Sequence, residues 1–354
     1  MKRSITIWST ILLFFSVMLV ACGNNEVDNE VASKSQKSDT LTVYTTIYPL
    51  ADFTQKIGGS HVEVESIYPP NVDAHSYELS SKDMVKIADA DLFVFTGIGF
   101  EGFADKAEKA LSSENVTLVK AAEDINLLEG TDSNHEESDD HDGHSDEQHV
   151  HHDEDGNEEE HGHEEDPHGH EDEEGHAHSH GDVDPHVWLD PILSIDLAEK
   201  IKDALVAKMP EQEEEFEQNF IEVKAELEKL DQEFSNMVEG SQSQYLIVSH
   251  DAYGYWEERY GITMIPIAGL SPTQEPSQKQ LTMLIEEAKK HHIRYVLFEQ
   301  NTSTKVAEMI QTEIGAESLH LHNLEAMTEE DLAGKEDYFS IMRKNIETVK
   351  TALN

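Results

Sequence analysis

Residues 210–240 read PEQEEEFEQNFIEVKAELEKLDQEFSNMVEG, and the spacing of their apolar side chains decides the architecture. Phe216, Phe220, Val223, Leu227, Leu230, Phe234 and Met237 recur at intervals of 4-3-4-3-4-3. That rhythm draws one apolar stripe down an α-helix of about eight turns. Pro210 suits the first turn, where its missing N–H has no intrahelical partner to lose, and Gly240 suits the stop. At 1.5 Å per residue the helix reaches about 43 Å. A sustained coiled coil shows more heptads, so the stripe is read as one long helix packed along two domains.

On both sides of this helix, strand and helix patterns alternate. Before it, Leu41–Tyr48 (LTVYTTIY) reads as a strand, and 50–57 as a helix stopped by Gly58-Gly59. His61–Tyr68 reads as a second strand ended by Pro69-Pro70, 81–90 as a helix, 92–95 (LFVF) as a buried strand and 192–209 as a helix. After it, 245–249, 262–267 and 295–298 are buried-strand candidates, with helices over 275–291 and 338–353. Such alternation predicts parallel sheets. The fold class is therefore α/β: two α/β lobes with parallel sheets, 40–209 and 241–354, joined by one long helix, 210–240.

The N-terminus is of another kind. Met1-Lys2-Arg3 is basic, 5–20 is almost wholly apolar, and Leu19-Val20-Ala21-Cys22 closes the run. This reads as a signal peptide over 1–21, because the run is shorter than the ~20 residues of a spanning helix. Cys22 is the only cysteine, and its context resembles a bacterial lipobox. That resemblance implies cleavage before Cys22 and lipid on its sulfur and amine, with the polar stretch 22–39 as a flexible tether to the extracytoplasmic face of a cell membrane, of Gram-positive type. The remaining chain of about 330 residues is large enough to hold its core without disulfides.

Charge is concentrated in one place. The formal net charge is −49, and no Lys or Arg lies between Lys120 and Lys200. The stretch 131–184 holds 23 acidic residues and 13 of the 21 histidines: His135, His141, His144, His149, His151, His152, His161, His163, His168, His170, His176, His178 and His180. With almost no apolar residues it cannot build a core, and it is expected to be a disordered insertion in the first lobe. So many imidazoles beside carboxylates suit a weak, rapidly exchanging metal collector. Nucleic-acid binding is excluded, since neutralising phosphates requires clustered Lys and Arg; the acidity suits a cation.

Eight histidines lie outside this stretch, and three share a context. His75 follows a strand and a turn, His250 follows the strand at 245–249, and His186 lies in a loop entering a helix. Ligands of open α/β sheets gather beyond the carboxyl ends of the strands. Three neutral imidazoles and a carboxylate make a good tetrahedral set for Zn²⁺. Yet gaps of more than 60 residues match no short zinc motif, so spacing alone leaves the set open.

The blocks Asp73-Ala74-His75-Ser76-Tyr77-Glu78, Asp184-Pro185-His186-Val187-Trp188-Leu189-Asp190-Pro191 and Ser249-His250-Asp251-Ala252-Tyr253 resemble the metal-binding blocks of the zinc- and manganese-binding solute-binding proteins of ABC transporters. The likeness runs from about Leu41 to Asn354, the insertion excepted. It implies a rigid linking helix, a metal in the interlobe cleft, and ligand roles for His75, His186 and His250. It also implies an acidic ligand late in the second lobe: Glu325, in His322-Asn323-Leu324-Glu325, with Glu299 after the strand 295–298 as the rival. Asp73, Asp184 and Asp251 are candidates for orienting the rings. Manganese relatives resemble this chain but carry a carboxylate where His250 stands, so Zn²⁺ is the expected cargo.

The implied function is extracytoplasmic zinc capture and delivery to an ABC permease with its ATPase, by a lipid-anchored monomer. The alternatives are a carrier of manganese or another divalent metal, and a surface metal buffer or adhesin. A zinc hydrolase is the enzyme alternative; the chain shows neither His-Glu-x-x-His nor a nucleophile elbow.

Overall fold

β-branched residues open the chain's order. Leu41–Thr45 forms β1, and Pro49 in the first turn of α1 (Tyr48–Gly58) ends the extended run earlier than its apolar pattern suggests. β2 (Val62–Ser66), α2 (Ser81–Ala88), β3 (Leu92–Phe95), α3 (Ala104–Leu111) and β4 (Thr117–Lys120) follow. The structure, a computed structural model, describes residues 40–130, 183–300 and 305–354. These belong to one compact unit, Asp39–Asn354. The expected signal peptide, Cys22 with its tether, and all thirteen histidines of the insertion lie outside the described residues. Val183, at the insertion's end, bridges antiparallel to Glu129.

After Val183 come a short 3₁₀ turn (Val187–Leu189), α4 (Leu193–Lys208) and the long helix α5, Glu213–Glu239. Pro210–Gln212 forms a separate 3₁₀ turn, so the α-helix itself has 27 residues and spans about 40 Å. The second lobe runs β5 (Tyr245–Val248), α6 (Gly254–Tyr260), β6 (Thr263–Pro266), α7 (Gln278–Lys290), β7 (Tyr295–Glu299), α8 (Lys305–Ile314), β8 (Glu317–Leu321), α9 (Glu329–Gly334) and α10 (Tyr338–Leu353).

Both sheets are parallel and four-stranded, with orders β2-β1-β3-β4 and β6-β5-β7-β8. In each, the order reverses at the middle pair of strands, which opens a crevice beyond their carboxyl ends.

The stripe of α5 does what its spacing predicts. Phe216, Phe220, Val223, Leu227, Leu230 and Phe234 are buried, each contributing about 1.5–3 kcal/mol over an exposed side chain. The helix packs on α1 and α4 of the first lobe and on α6 and α10 of the second. As a result one continuous core takes in Val43, Phe93 and Leu197 together with Val248, Leu321 and Tyr338. A smaller cluster, including Ile247, Leu284, Val296 and Ile310, fills the other face of the second sheet.

Candidate metal centre

Four side chains meet in the crevice between the lobes, one from each of four loops. His75 lies in the crossover from β2 to α2. Asp73 shapes this loop by accepting the His75 backbone N–H (3.1 Å) and the Ser76 hydroxyl (2.7 Å), a local turn typical of Asp. The Phe100 ring stands edge-on to the imidazole, 4.8 Å between centroids.

His186 leads into the 3₁₀ turn before α4 and is fully buried. Asp184 Oδ1 accepts both its backbone N–H (2.9 Å) and its Nδ1–H (2.8 Å). That fixes the tautomer and turns Nε2 towards the crevice.

His250 stands two residues past β5, also fully buried. Its Nδ1 lies 2.5 Å from Oε2 of Glu299, the last residue of β7, whose Oε1 accepts from the Tyr253 hydroxyl at 3.3 Å. Neither buried ring nitrogen of His250 makes a well-aligned hydrogen bond: Nδ1 faces the Glu299 carboxylate, and Nε2 is aimed at the other three groups.

Glu325 comes from the loop after β8. Leu324 before it is buried and adopts a left-handed φ of 62°, a strained conformation for a branched residue. The Glu325 backbone is held at both ends: its N–H donates to Asn323 Oδ1 (3.2 Å), and its carbonyl accepts from the Tyr48 N–H at the start of α1 (3.1 Å).

Glu325 Oε1 lies 3.1 Å from His75 Nε2, 3.8 Å from His186 Nε2 and 3.9 Å from His250 Nε2, while the His75 and His186 Nε2 atoms are 3.5 Å apart. All four donor atoms fall within 4.8 Å of one another. Among the described residues this is the one group of three or more His, Cys, Asp or Glu placed to share a metal ion.

Electrostatics separate the rings. Burial, with the neighbouring His250 and His75, holds His186 well below the usual histidine range. Burial alone would lower His250 too, but Glu299 and Glu325 outweigh it and push the ring up to about 9. Burial also pushes Asp184 up to about 7. For Glu325 burial acts upward, yet the three imidazoles win and hold its carboxyl below the usual range.

The remaining candidates fall elsewhere. Glu299, the rival fourth ligand, sits on the Nδ1 side of His250, where it orients the ring. Asp73 serves its own turn. Asp251 is buried and its N–H donates to Gly269 O (3.1 Å), while Asp184 holds the His186 ring. The part played by Glu299 was hidden in the sequence, because it depends on β7 lying beside β5.

The block Asp184–Asp190 belongs to the first lobe yet is clasped by the second. Tyr255 donates to Asp184 O (2.8 Å), Trp256 Nε1 to Leu189 O (2.7 Å), Tyr338 to Trp188 O (2.8 Å) and Arg259 Nε to Asp190 Oδ2 (2.5 Å), while Trp188 Nε1 donates to Asn323 O (2.8 Å). Solvent reaches the cluster from one described side. A cavity of about 180 Å³, lined by Gly99, Phe100, Pro185, Leu270 and Gln274, opens on His75, whose side chain is 11% exposed against 5% or less for the other three.

Two parallel α/β lobes on one long helix, with three imidazoles and a carboxylate converging between them, define a two-lobed binding protein built around a metal-sized site. The chain belongs to the ZnuA family, zinc-uptake complex component A, periplasmic, whose model matches residues 43–352. It is 33% identical over 348 residues to the high-affinity zinc uptake system protein ZnuA of Bacillus subtilis, covering 98% of both chains. To the zinc-binding protein AdcA of Streptococcus pyogenes it is 32% identical over 354 residues, which are 99% of this chain and 61% of that one; it thus spans less than two thirds of that relative's length. The Zn(II)-bound ZnuA-like domain of Streptococcus pneumoniae AdcA superposes with a TM-score of 0.67 at 30% identity, over 89% of this chain and 99% of that domain.

Proposed function

We propose that this protein captures zinc outside the cytoplasm in a His75–His186–His250–Glu325 site and delivers it to an ABC permease driven by its ATPase. The observation that carries the reading is the convergence of four buried donors. A tetrahedral ion with bonds of about 2.1 Å needs donor atoms roughly 3.4 Å apart, and the separations of 3.1, 3.5, 3.8 and 3.9 Å, with all four donors within 4.8 Å of one another, already gather the set near that spacing. Three nitrogens and one carboxylate favour Zn²⁺ over Mn²⁺, which prefers more oxygen donors. Four protein ligands complete a tetrahedral shell and leave no open position for the activated water of a catalytic zinc, which supports a carrier rather than a hydrolase. Names of relatives, zinc uptake in Bacillus subtilis among them, support the same cargo.

Each residue has a task in capture. His75, facing the cavity, meets the incoming ion first. His186 presents an Nε2 lone pair on a ring oriented by Asp184, and His250, oriented by Glu299, gives up a proton as the ion binds. Glu325 adds the negative charge. Because α5 and the Asp184–Asp190 block tie the lobes together, binding proceeds by small shifts rather than wide hinge closure. The reading extends to lipid anchoring through Cys22, action as a monomer, and weak collection of zinc by the histidines of 131–182.

Metal analysis and competition titration of the chain, with and without 131–182, test the proposal. One tight zinc should remain after the deletion, and His250→Ala should abolish it. A wild-type chain that takes up no stoichiometric zinc, or prefers Mn²⁺ in direct competition, overturns it. The alternative of a surface metal buffer predicts no zinc-dependent growth defect on deletion of the gene.

A further inference from the structure

The second lobe supplies His250 and Glu325 from different loops, and both lead back to one dipeptide. We infer that Glu299-Gln300, at the carboxyl end of β7, is a two-armed positioning element that sets the spacing of these two ligands; the inference rests on reading the cluster as a zinc site. β7 lies between β5, which leads to His250, and β8, which leads to Glu325. Glu299 ends the strand and Gln300 is the turn residue just past it, so the dipeptide stands at a strand end flanked by both neighbours.

Glu299 is the arm towards β5, through its 2.5 Å contact with His250 Nδ1. Gln300 is the arm towards β8. Its Nε2 donates to Asn323 Oδ1 (2.9 Å) and approaches His322 Nδ1 (3.2 Å), and its Oε1 accepts the Asn323 N–H (3.3 Å). Each partner acts on the next residues. Asn323 Oδ1 accepts the Glu325 N–H (3.2 Å), and His322 Nδ1 accepts the Leu324 N–H (2.9 Å). His322 is kept in the tautomer this requires by its Nε2–H facing Asp331 Oδ2 at 3.1 Å. The Gln300 amide therefore braces both residues that hold Leu324 in its left-handed conformation and aim Glu325 at the ion. The 3.9 Å between His250 Nε2 and Glu325 Oε1 is then set from one point on the backbone. The two first-lobe ligands share instead an apolar neighbour, the Phe100 ring, edge-on to His75 at 4.8 Å and to His186 at 6.1 Å.

A crossed set of double-mutant cycles tests this on the full chain, with zinc affinity read by chelator competition. Gln300→Leu keeps the side chain's bulk without its hydrogen bonds, and it should weaken zinc about 10–100-fold. The same fold-loss should appear in the residual, weak affinity of a His250→Ala background, where tight binding is gone but three ligands remain, and shrink below about threefold in a Glu325→Ala background, where the arm has nothing left to aim. Glu299→Gln should show the mirror pattern, its effect vanishing with His250→Ala. Cobalt spectra give a second readout: the Gln300→Leu spectrum should approach that of Glu325→Ala and that of Glu299→Gln should not. Metal-free melting temperatures show that each variant folds, and Gln300→Glu, which retains the acceptor for the Asn323 N–H, replaces Gln300→Leu if that one does not. Equal losses in both backgrounds, or no loss in the wild type, overturn the inference while leaving the zinc site intact. A wild-type chain without zinc affinity overturns both.

Discussion

Replacing Glu299 by Gln should change how many protons zinc expels. In the wild type, Glu299 and Glu325 push His250 up to about 9 against the effect of burial, so at pH 7 the ring is about 99% protonated. Zinc at Nε2 displaces that proton. Asp184, pushed up to about 7 by burial, is about half protonated at pH 7. The charge that zinc places on His186 favours the ionised carboxylate, which releases up to about half a proton more. Together these two groups give up to about 1.5 protons per zinc at pH 7. Because zinc competes with protons, affinity rises with pH: roughly tenfold per unit between pH 7.5 and 8.5, flattening above about 9. In Glu299→Gln the first-ranked upward cause is gone and burial is opposed only by Glu325 and Asp251, so the release should fall, by about one proton at most, and the slope between pH 7.5 and 8.5 should flatten. Calorimetry in two buffers of different ionisation enthalpy counts the protons. A wild-type release below about half a proton, or one unchanged by Glu299→Gln, would refute the electrostatic reasoning.

Three other outcomes follow from the same geometry. Metal-free protein should lose stability as pH rises from 6.5 to 9.5, because a folded-state His250 raised to about 9 contributes fully below the unfolded value and is lost on passing through the folded one; the change is on the order of 3 kcal/mol at most, read by denaturant midpoints. Zinc at 100 times its Kd should stabilise the chain by about 2.7 kcal/mol, seen as a rise in melting temperature that a chelator reverses. Leu227→Ala, which removes a fully buried side chain from the middle of α5, should cost about 2–5 kcal/mol in denaturant unfolding while leaving zinc stoichiometry unchanged.

Much of the architecture was legible because burial is one-sided. α5 shows its period plainly since its other face meets water, and β3 shows as four apolar residues since both its faces are covered. β8 was not legible: ESLHL places its single buried residue at the end of an edge strand, so no alternation marks it. α9 is a six-residue helix, too short to display a period. At the site, the histidines stood out by residue type and by resemblance, while spacing was silent about their convergence. Glu299 stands out in the sequence only as a rival ligand after the strand 295–298, and Gln300 gives no signal, because their positioning roles depend on strand order, which local pattern does not encode. Leu324 is the clearest limit: a left-handed backbone is ordinarily announced by glycine or asparagine, and here a leucine occupies it because its side chain is wholly buried.

The single core that runs through both lobes has a consequence for engineering and descent alike. Neither half is a module with a finished surface: cutting at Gly240 would strip α10 from the α5 stripe and leave Trp256 and Tyr338 facing water, with the carbonyls of Leu189 and Trp188 losing the donors that now reach them. Metal preference therefore cannot be transplanted by exchanging whole halves between relatives. Chimeras should succeed only where a loop bearing a ligand is grafted together with the neighbouring strand end that aims it.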